Sequence, residues 1–189
     1  MKSCIQVFPG AVSVQKCNEI IRRGMQLTPQ DASIGFDNDR TDSSYRVSTI
    51  RWFYYRDNKD ISDLLLSYAQ EANRESFGLD IFNNAYDMQF TEYHATNKGK
   101  YDWHHDVWWV NPRAHDRKLS IVIQLTDPQS YEGGCFEFNA PEISNNELIP
   151  FKQQGSVLVF PSFFYHRVTP VTAGTRYSLV SWIDGPKFR

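Results

Sequence analysis

Residues 163–182 read FFYHRVTPVTAGTRYSLVSW, and the way this stretch folds decides the architecture of the chain. Two runs of apolar and β-branched residues, 163–171 and 175–182, flank the turn-forming Thr172-Ala173-Gly174. This predicts two strands joined as a hairpin centred near Ala173. In that register His166 and Arg176 share parity and project toward one face. The same period of two continues upstream to about residue 86. Segments 87–94, 100–110, 118–125, 134–138 and 156–160 are short and bounded by Gly, Pro, Asn or Asp; with 165–171 and 176–183 they make seven candidate strands. No helical period intervenes to supply parallel crossovers, so the expected fold is mainly β, an antiparallel double sheet of the jelly-roll kind.

Ahead of residue 86 the period changes to that of helices. Val14, Cys17, Ile20 and Ile21 recur at helical spacing before Gly24, with Ser13 as N-cap. Ile61, Leu64, Leu65, Tyr68, Ala69 and Ala72 form a second stripe, with Ser62 or Asp60 capping its start and Gly78 ending it near Phe77. Both helices are expected on one outer face of the β core. The polar segment 35–44 (GFDNDRTDSS) between them reads as a loop, either a solvated linker or a flap over an active site. The chain is thus one domain over 1–189, with helical support and an N-terminal strand in 1–85 and a jelly-roll core in 86–189.

Composition narrows the partners. With 20 Lys+Arg against 22 Asp+Glu the formal net charge is −2, and no basic block offers a footprint for a nucleic acid. Hydrophobic residues make up 41% of the chain and its mean hydropathy is −0.52, without an apolar run long enough to span a bilayer, so no membrane partner is expected. Cys4, Cys17 and Cys135 have neither disulfide-framework nor zinc spacing, and the start MKSCIQVFPGAVS reaches Pro9-Gly10 before any apolar core of a signal peptide. Reduced thiols and a cytoplasmic location are the expectation.

The densest polar signal is Tyr101-Asp102-Trp103-His104-His105-Asp106. On a strand, Asp102, His104 and Asp106 fall on one face and Tyr101, Trp103 and His105 on the other, with His104 and Asp106 about 7 Å apart. An imidazole and a carboxylate so placed need one more nitrogen to form a 2-His-1-carboxylate facial triad, the set that leaves positions open on a non-haem Fe(II). His166 is the candidate. His94 and His115 read as surface or structural histidines, and His105 falls on the wrong face. Arg176 lies roughly 13 Å along the sheet from the level of His166. Its planar fork suits the far carboxylate of a dicarboxylate whose near end chelates the metal, although an exposed ion pair is the alternative for such a residue alone. Ser178, on the face of Arg176, offers a hydroxyl contact or is simply packed.

The ordered set Tyr93, Gly99, Tyr101, His104-x-Asp106, Gly133-Gly134, Gly155-Ser156, Phe160-Pro161, His166-x-Val168-x-Pro170-Val171-x-x-Gly174-x-Arg176 and Trp182 resembles the Fe(II)/2-oxoglutarate dioxygenases, specifically their prolyl 4-hydroxylase-like branch. Tyr45-Arg46-Val47-Ser48 and the two helices fall where that branch has its N-terminal strand and supporting helices, so the resemblance covers nearly the whole chain. It implies a double-stranded β-helix, His104, Asp106 and His166 as iron ligands, and Arg176 as the anchor of the 2-oxoglutarate C5 carboxylate. Tyr93 matches a tyrosine near the cosubstrate. Gln124 stands where prolyl hydroxylases often have a second tyrosine, and its amide could still donate to a carboxylate.

The implied activity is hydroxylation of an unactivated C–H bond, with Fe(II), 2-oxoglutarate, O2 and ascorbate, releasing succinate and CO2. The leading substrate is a prolyl or other amino-acid residue of a peptide or protein. A free amino acid or small metabolite is the near competitor. A metal-containing jelly-roll binding module and a zinc hydrolase are readings from other classes. Trp103, Phe136, Phe138, Phe160 and Trp182 would line a dry cavity or fill the core. Trp108 and Trp109 would offer an aromatic surface for substrate, with at most one of them facing the site if they are consecutive strand positions, and Tyr101 and Trp182 are further candidates.

Overall fold

The computed structural model describes residues 2–33, 41–84 and 86–189, which leaves most of the polar 35–44 segment outside the described residues. The elements, in chain order, are β1 (Gln6–Phe8), α1 (Val14–Gly24), β2 (Gln30–Asp31), β3 (Arg46–Val47), β4 (Thr49–Phe53), α2 (Lys59–Ala72), β5 (Met88–His94), β6 (Lys100–His104), β7 (His115–Gln124), β8 (Tyr131–Gly133), β9 (Phe136–Phe138), β10 (Val157–Pro161), β11 (His166–Val168) and β12 (Val171–Pro186). A large sheet runs in the order β1-β10-β7-β12-β5-β4-β2, with β8 also on β12, and a small one in the order β3-β6-β11-β9. Their pairings are antiparallel, as a jelly roll requires. Among the described residues no helix is long and apolar enough to cross a membrane.

Strand alternation sorts the core from the site. On β7, Leu119, Ile121 and Ile123 join the cluster formed with the helices, whereas Val122 lines a cavity between the sheets. On β12, Leu179 and Ile183 take the helix side and Arg176, Ser178, Val180 and Trp182 the cavity side. The helices therefore cover the outer face of the large sheet, through Cys17 and Ile20 of α1 and Ile61, Leu65, Ala69 and Ala72 of α2. Ser13 caps α1 as its sequence predicts, its hydroxyl accepting the backbone N–H of Lys16. Ser13→Ala should cost about 1 kcal/mol, read as a lower urea midpoint with an unchanged slope.

The start of α2 differs from expectation. Its N-cap is Asn58, whose side-chain amide donates to the Tyr54 carbonyl, not Ser62 or Asp60. Ser62 is buried and donates to the Tyr86 carbonyl. Asp60 lies in the first turn and ties the two helices together through Lys16 and Arg23 of α1. A π turn over Asn73–Phe77 follows, and Gly78, at φ +64°, ends it as expected.

Several strands differ too, and the hairpin expected around Ala173 does not form. β11 lies in the small sheet between β6 and β9, whereas β12 runs continuously through the large sheet between β5 and β7. The chain changes sheets at Thr169-Pro170. Thr172-Ala173-Gly174 is not a turn but an irregular stretch of β12 opposite β8, where the register shifts between Val171 and Ala173. Gly174 has φ +68°, and a Cβ there would stand 2.2 Å from the Ser130 carbonyl oxygen. The turn-like composition therefore served a close backbone approach. β6 also stops at His104 instead of residue 110. β1, β2, β4 and β8 were not foreseen, of which β1, β2 and β8 are too short for alternation to register, whereas β3 sits where the N-terminal strand was expected.

Candidate active site and metal centre

His104 is the last residue of β6 and His166 the first of β11, and the two are paired across the small sheet. Asp106 follows two residues after the strand, its backbone N–H bonded to the Ser162 carbonyl at 2.8 Å. The donor atoms of the three side chains all lie within 4.8 Å of one another. Nε2 of His104 is 3.8 Å from Asp106 Oδ1, and Nε2 of His166 is 3.7 Å from Asp106 Oδ2.

The supporting hydrogen bonds fix which atoms face inward. Nδ1 of His104 is 2.7 Å from the Asp102 carbonyl, and Nδ1 of His166 is 2.9 Å from the Phe164 carbonyl. A carbonyl only accepts, so each Nδ1 carries the proton and each Nε2 turns its lone pair to the centre. Ser120 donates from Oγ to Asp106 Oδ2 at 2.6 Å and contacts Ser162 Oγ at 2.9 Å. One carboxylate and two neutral imidazoles, with ring nitrogens braced by carbonyls, fit a divalent transition metal such as Fe(II). Since Ser120 orients the carboxylate without being a ligand, Ser120→Ala should weaken Fe(II) binding about 10- to 100-fold in equilibrium dialysis.

Burial holds both imidazoles neutral. It lowers His104 to about 3, aided by the neighbouring His166, and it lowers His166 as well. Burial alone would raise the Asp106 carboxyl, but His166 and His104, then Arg117 and the Ser120 hydroxyl, outweigh it and bring Asp106 down to about 2. In the metal-free protein this has a definite sign. An unfolded histidine titrates near 6.5, so added protons favour the unfolded chain: the stability contributed by a neutral His104 is complete above about pH 6.5 and is lost as pH falls toward 3. Urea midpoints of chelator-treated protein should therefore stay nearly level from pH 7.5 to about 6.5 and then drop down to pH 5, less steeply in His104→Gln.

The expected alternation along Tyr101–Asp106 holds only in part. Val168 pairs with Tyr101 while His166 pairs with His104, so β6 carries one extra residue at this point. This bulge brings Tyr101 to the same side as His104, and the two rings stack at 3.5 Å between centroids, 14° apart in plane. Trp103, expected in the cavity, instead lies under the Arg167 guanidinium at 4.5 Å. His105, expected on the far face, stands at the cavity wall, outside the three-residue donor cluster, with its Nδ1 buried and unpaired among the described residues. His94 and His115 are structural as expected, paired with Glu92 and Asp184.

The donor cluster opens into a cavity of about 240 Å³ between the two sheets. Phe136 and Phe160 line it and pack on His166, Phe136 nearly parallel at 5.2 Å, while Phe138 sits behind them in the apolar cluster. Trp182 and Trp108 also line it. Trp109 does not: it is 55% exposed and packs on His105 and Phe188. The two tryptophans are separated by a bend after β6, not by strand alternation.

Arg176, 2% exposed, closes the far end of the cavity. Register sets it beside Tyr93 of β5, with its guanidinium carbon 5.7 Å from the tyrosine ring. Its Nε donates to Gln124 Oε1 at 3.0 Å, and among the described residues this is its side chain's hydrogen bond to protein. Gln124 spends its amide N–H groups on the Thr126 carbonyl and the Tyr131 hydroxyl. Gln124 therefore holds the arginine and is not a spare donor to a carboxylate, a correction to its expected role. Ser178 faces the cavity as anticipated. Sequence reasoning missed Ser120, Ser162 and Arg117; inward parity on β7 was the available signal for Ser120, and a bulge between residues 117 and 119 weakened it for Arg117.

Comparison with known proteins agrees with this geometry. Residues 88–184, just over half of the chain, match the family model of the 2OG-Fe(II) oxygenase superfamily. A PKHD-type hydroxylase of Synechococcus sp. (strain CC9311) is 40% identical over 88 residues, 46% of this chain and 37% of that protein. One from Prochlorococcus marinus is 28% identical over 189 residues, 97% of this chain and 72% of the relative. The matched stretch thus spans under half the length of the first of these relatives. Among solved structures, the viral collagen prolyl hydroxylase of Paramecium bursaria Chlorella virus-1 superposes with TM-score 0.71 at 17% identity, covering 97% of both chains. A Pseudomonas putida prolyl-4-hydroxylase gives 0.66 at 18% identity, covering 96% of this chain and 92% of that one. The structures establish a shared fold, and the match over 88–184 establishes lineage: the chain belongs to the 2OG-Fe(II) oxygenase superfamily.

Proposed function

We propose that the protein is an Fe(II)- and 2-oxoglutarate-dependent dioxygenase that hydroxylates an unactivated C–H bond, with a prolyl or other amino-acid residue of a peptide or protein as the leading substrate. The observation that carries this reading is a buried His104/Asp106/His166 cluster sharing one cavity with a buried arginine that, among the described residues, is held through its Nε and keeps its terminal nitrogens unbonded. A plain metal-binding module has no need of that cation. The PKHD-type and prolyl hydroxylase relatives support the hydroxylase chemistry and the peptide class of substrate.

His104, Asp106 and His166 would hold the metal, which when loaded supplies oxygen activation coupled to decarboxylation of the cosubstrate. The sum is balanced: 2-oxoglutarate, O2 and R–H give succinate, CO2 and R–OH, one oxygen atom entering succinate and the other the product. The chain positions and shields. Arg176 offers its two terminal nitrogens to the C5 carboxylate, with Tyr93 and Ser178 beside it. Phe136, Phe160 and Val122 keep water from the space between. Ascorbate would restore the ferrous state after unproductive turnover.

Anaerobic addition of Fe(II) and 2-oxoglutarate should give a weak visible charge-transfer band, and admission of air should release succinate. A panel of prolyl peptides and free amino acids, scanned by mass spectrometry for a gain of one oxygen, identifies the substrate class. No band and no succinate would refute the oxygenase reading.

A further inference from the structure

The cavity holds more positive charge than the proposed chemistry uses. In that reading, which this inference deepens, the charges of the ferrous ion and Arg176 are balanced by Asp106 and the dianionic cosubstrate. Three further arginines, Arg46, Arg113 and Arg117, line the same cavity. Arg46 is committed to Ser48 and to the Ser33 carbonyl, and it lies 4.3 Å over Tyr101.

Arg117 is the informative one. Its backbone pairs with Asp184 in the sheet, but among the described residues its guanidinium has no hydrogen bond and no ion pair. Its guanidinium carbon lies 3.9 Å from the Trp182 ring centroid and 4.7 Å from that of Trp108. Both tryptophans line the cavity, so aromatic rings hold this cation at the wall. The carboxylates that act on it, Asp106 and Asp184, are engaged elsewhere: Asp106 in the donor cluster and with Ser120, Asp184 with His115 at 3.3 Å. Stacking leaves the N–H edges of a guanidinium unused, and five donors in a fixed fork are costly to leave unmatched in a partly desolvated site. Arg113 adds positive charge near Trp108, its guanidinium carbon 5.9 Å from the ring centroid.

We infer that the substrate carries a carboxylate beside the carbon to be oxidised, and that Arg117, framed by Trp108 and Trp182, binds it. The carboxylate could belong to a chain terminus or free amino acid, or to an acidic side chain of a peptide. Arg117 is thereby a substrate-binding residue distinct from the cosubstrate anchor.

Tryptophan fluorescence reports directly on this subsite. Protein loaded with redox-inert Zn(II) and 2-oxoglutarate is titrated with two acid/amide pairs. N-acetyl-L-proline against N-acetyl-L-prolinamide places the charge at a terminus; N-acetyl-aspartyl-prolinamide against its asparaginyl counterpart places it on a side chain. At least one acid should bind about tenfold or more tightly than its amide, and the pair that discriminates identifies the source. In Arg117→Gln the preference should fall below about twofold, and Arg117→Lys, which keeps the charge but not the fork, should fall between. Equal binding of acid and amide in both pairs, or no binding by any probe, overturns the inference in the wild-type protein, whatever the variants do. An acid preference that survives in folded Arg117→Gln overturns it equally. The Fe(II)–2-oxoglutarate band needs no substrate, so failure of the oxygenase reading is seen separately.

Discussion

Asp106→Ala should abolish the visible Fe(II)–2-oxoglutarate band and lower succinate release by more than about a thousandfold, which corresponds to about 4 kcal/mol of lost barrier reduction. The expectation rests on placement. Asp106 is the single carboxylate of the donor cluster, with an oxygen toward each imidazole at 3.7 and 3.8 Å. Without it two neutral nitrogens remain, and nothing else among the residues described as donors replaces the charge. The fold should survive, because Asp106 lies in a loop after β6 and takes no part in the apolar clusters. Because its neighbours outweigh the burial cost of the carboxylate, the variant loses the Ser120 hydrogen bond and the attraction of Arg117, so the metal-free variant should be somewhat less thermally stable than wild type while still folding. A folded Asp106→Ala protein that keeps the band and substantial turnover would show that the metal sits elsewhere.

The contrast between what was readable and what was not follows from range. His104 and Asp106 are two residues apart and were visible as a motif; the inward face of β12 was visible as alternation from Arg176 to Trp182. His166 was found because few histidines compete. The reason given for pairing it with Arg176 was nonetheless mistaken, since the two lie in different sheets and meet across the cavity instead of along a hairpin. Strand parity gave the correct answer there because both strands expose one face to the same space.

Where backbone irregularity enters, parity fails. The extra residue in β6 reversed the reading of Tyr101, and a bulge leaves no mark in the pattern of side-chain types. Gly174 misled for a related reason, as positive φ is demanded both by turns and by close backbone contact. Gln124 and Ser120 act through long-range partners, Arg176 and Asp106, which only the sheet register brings within reach.

Arg176→Ala should raise the KM for 2-oxoglutarate about 30- to 1000-fold while leaving Fe(II) affinity within about twofold, a loss of about 2–4 kcal/mol, as expected when one member of a desolvated charge pair is removed. The metal donors are on β6, β11 and the loop between β6 and β7; the arginine is on β12, so the two functions are separable. Arg176→Lys should recover part of the affinity through charge alone, because an ammonium cannot keep Gln124 on one edge and grip a carboxylate with two parallel donors. Gln124→Ala tests the same geometry from behind. It removes the acceptor that aims the guanidinium but no donor to the ligand, so KM should rise by a smaller factor, about tenfold, with Fe(II) affinity again unchanged. Gly134→Ala presses from the third side: a Cβ there would lie 3.0 Å from Arg176 Cδ, in a backbone at φ +57° that disfavours any side chain. These substitutions should all move cosubstrate affinity and leave metal affinity alone, in the order Arg176→Ala, then Gln124→Ala. If instead Gln124→Ala matched Arg176→Ala, the amide would be a direct ligand of the carboxylate and the hydrogen bonding among Arg176, Gln124 and Tyr131 would have to rearrange when the cosubstrate binds.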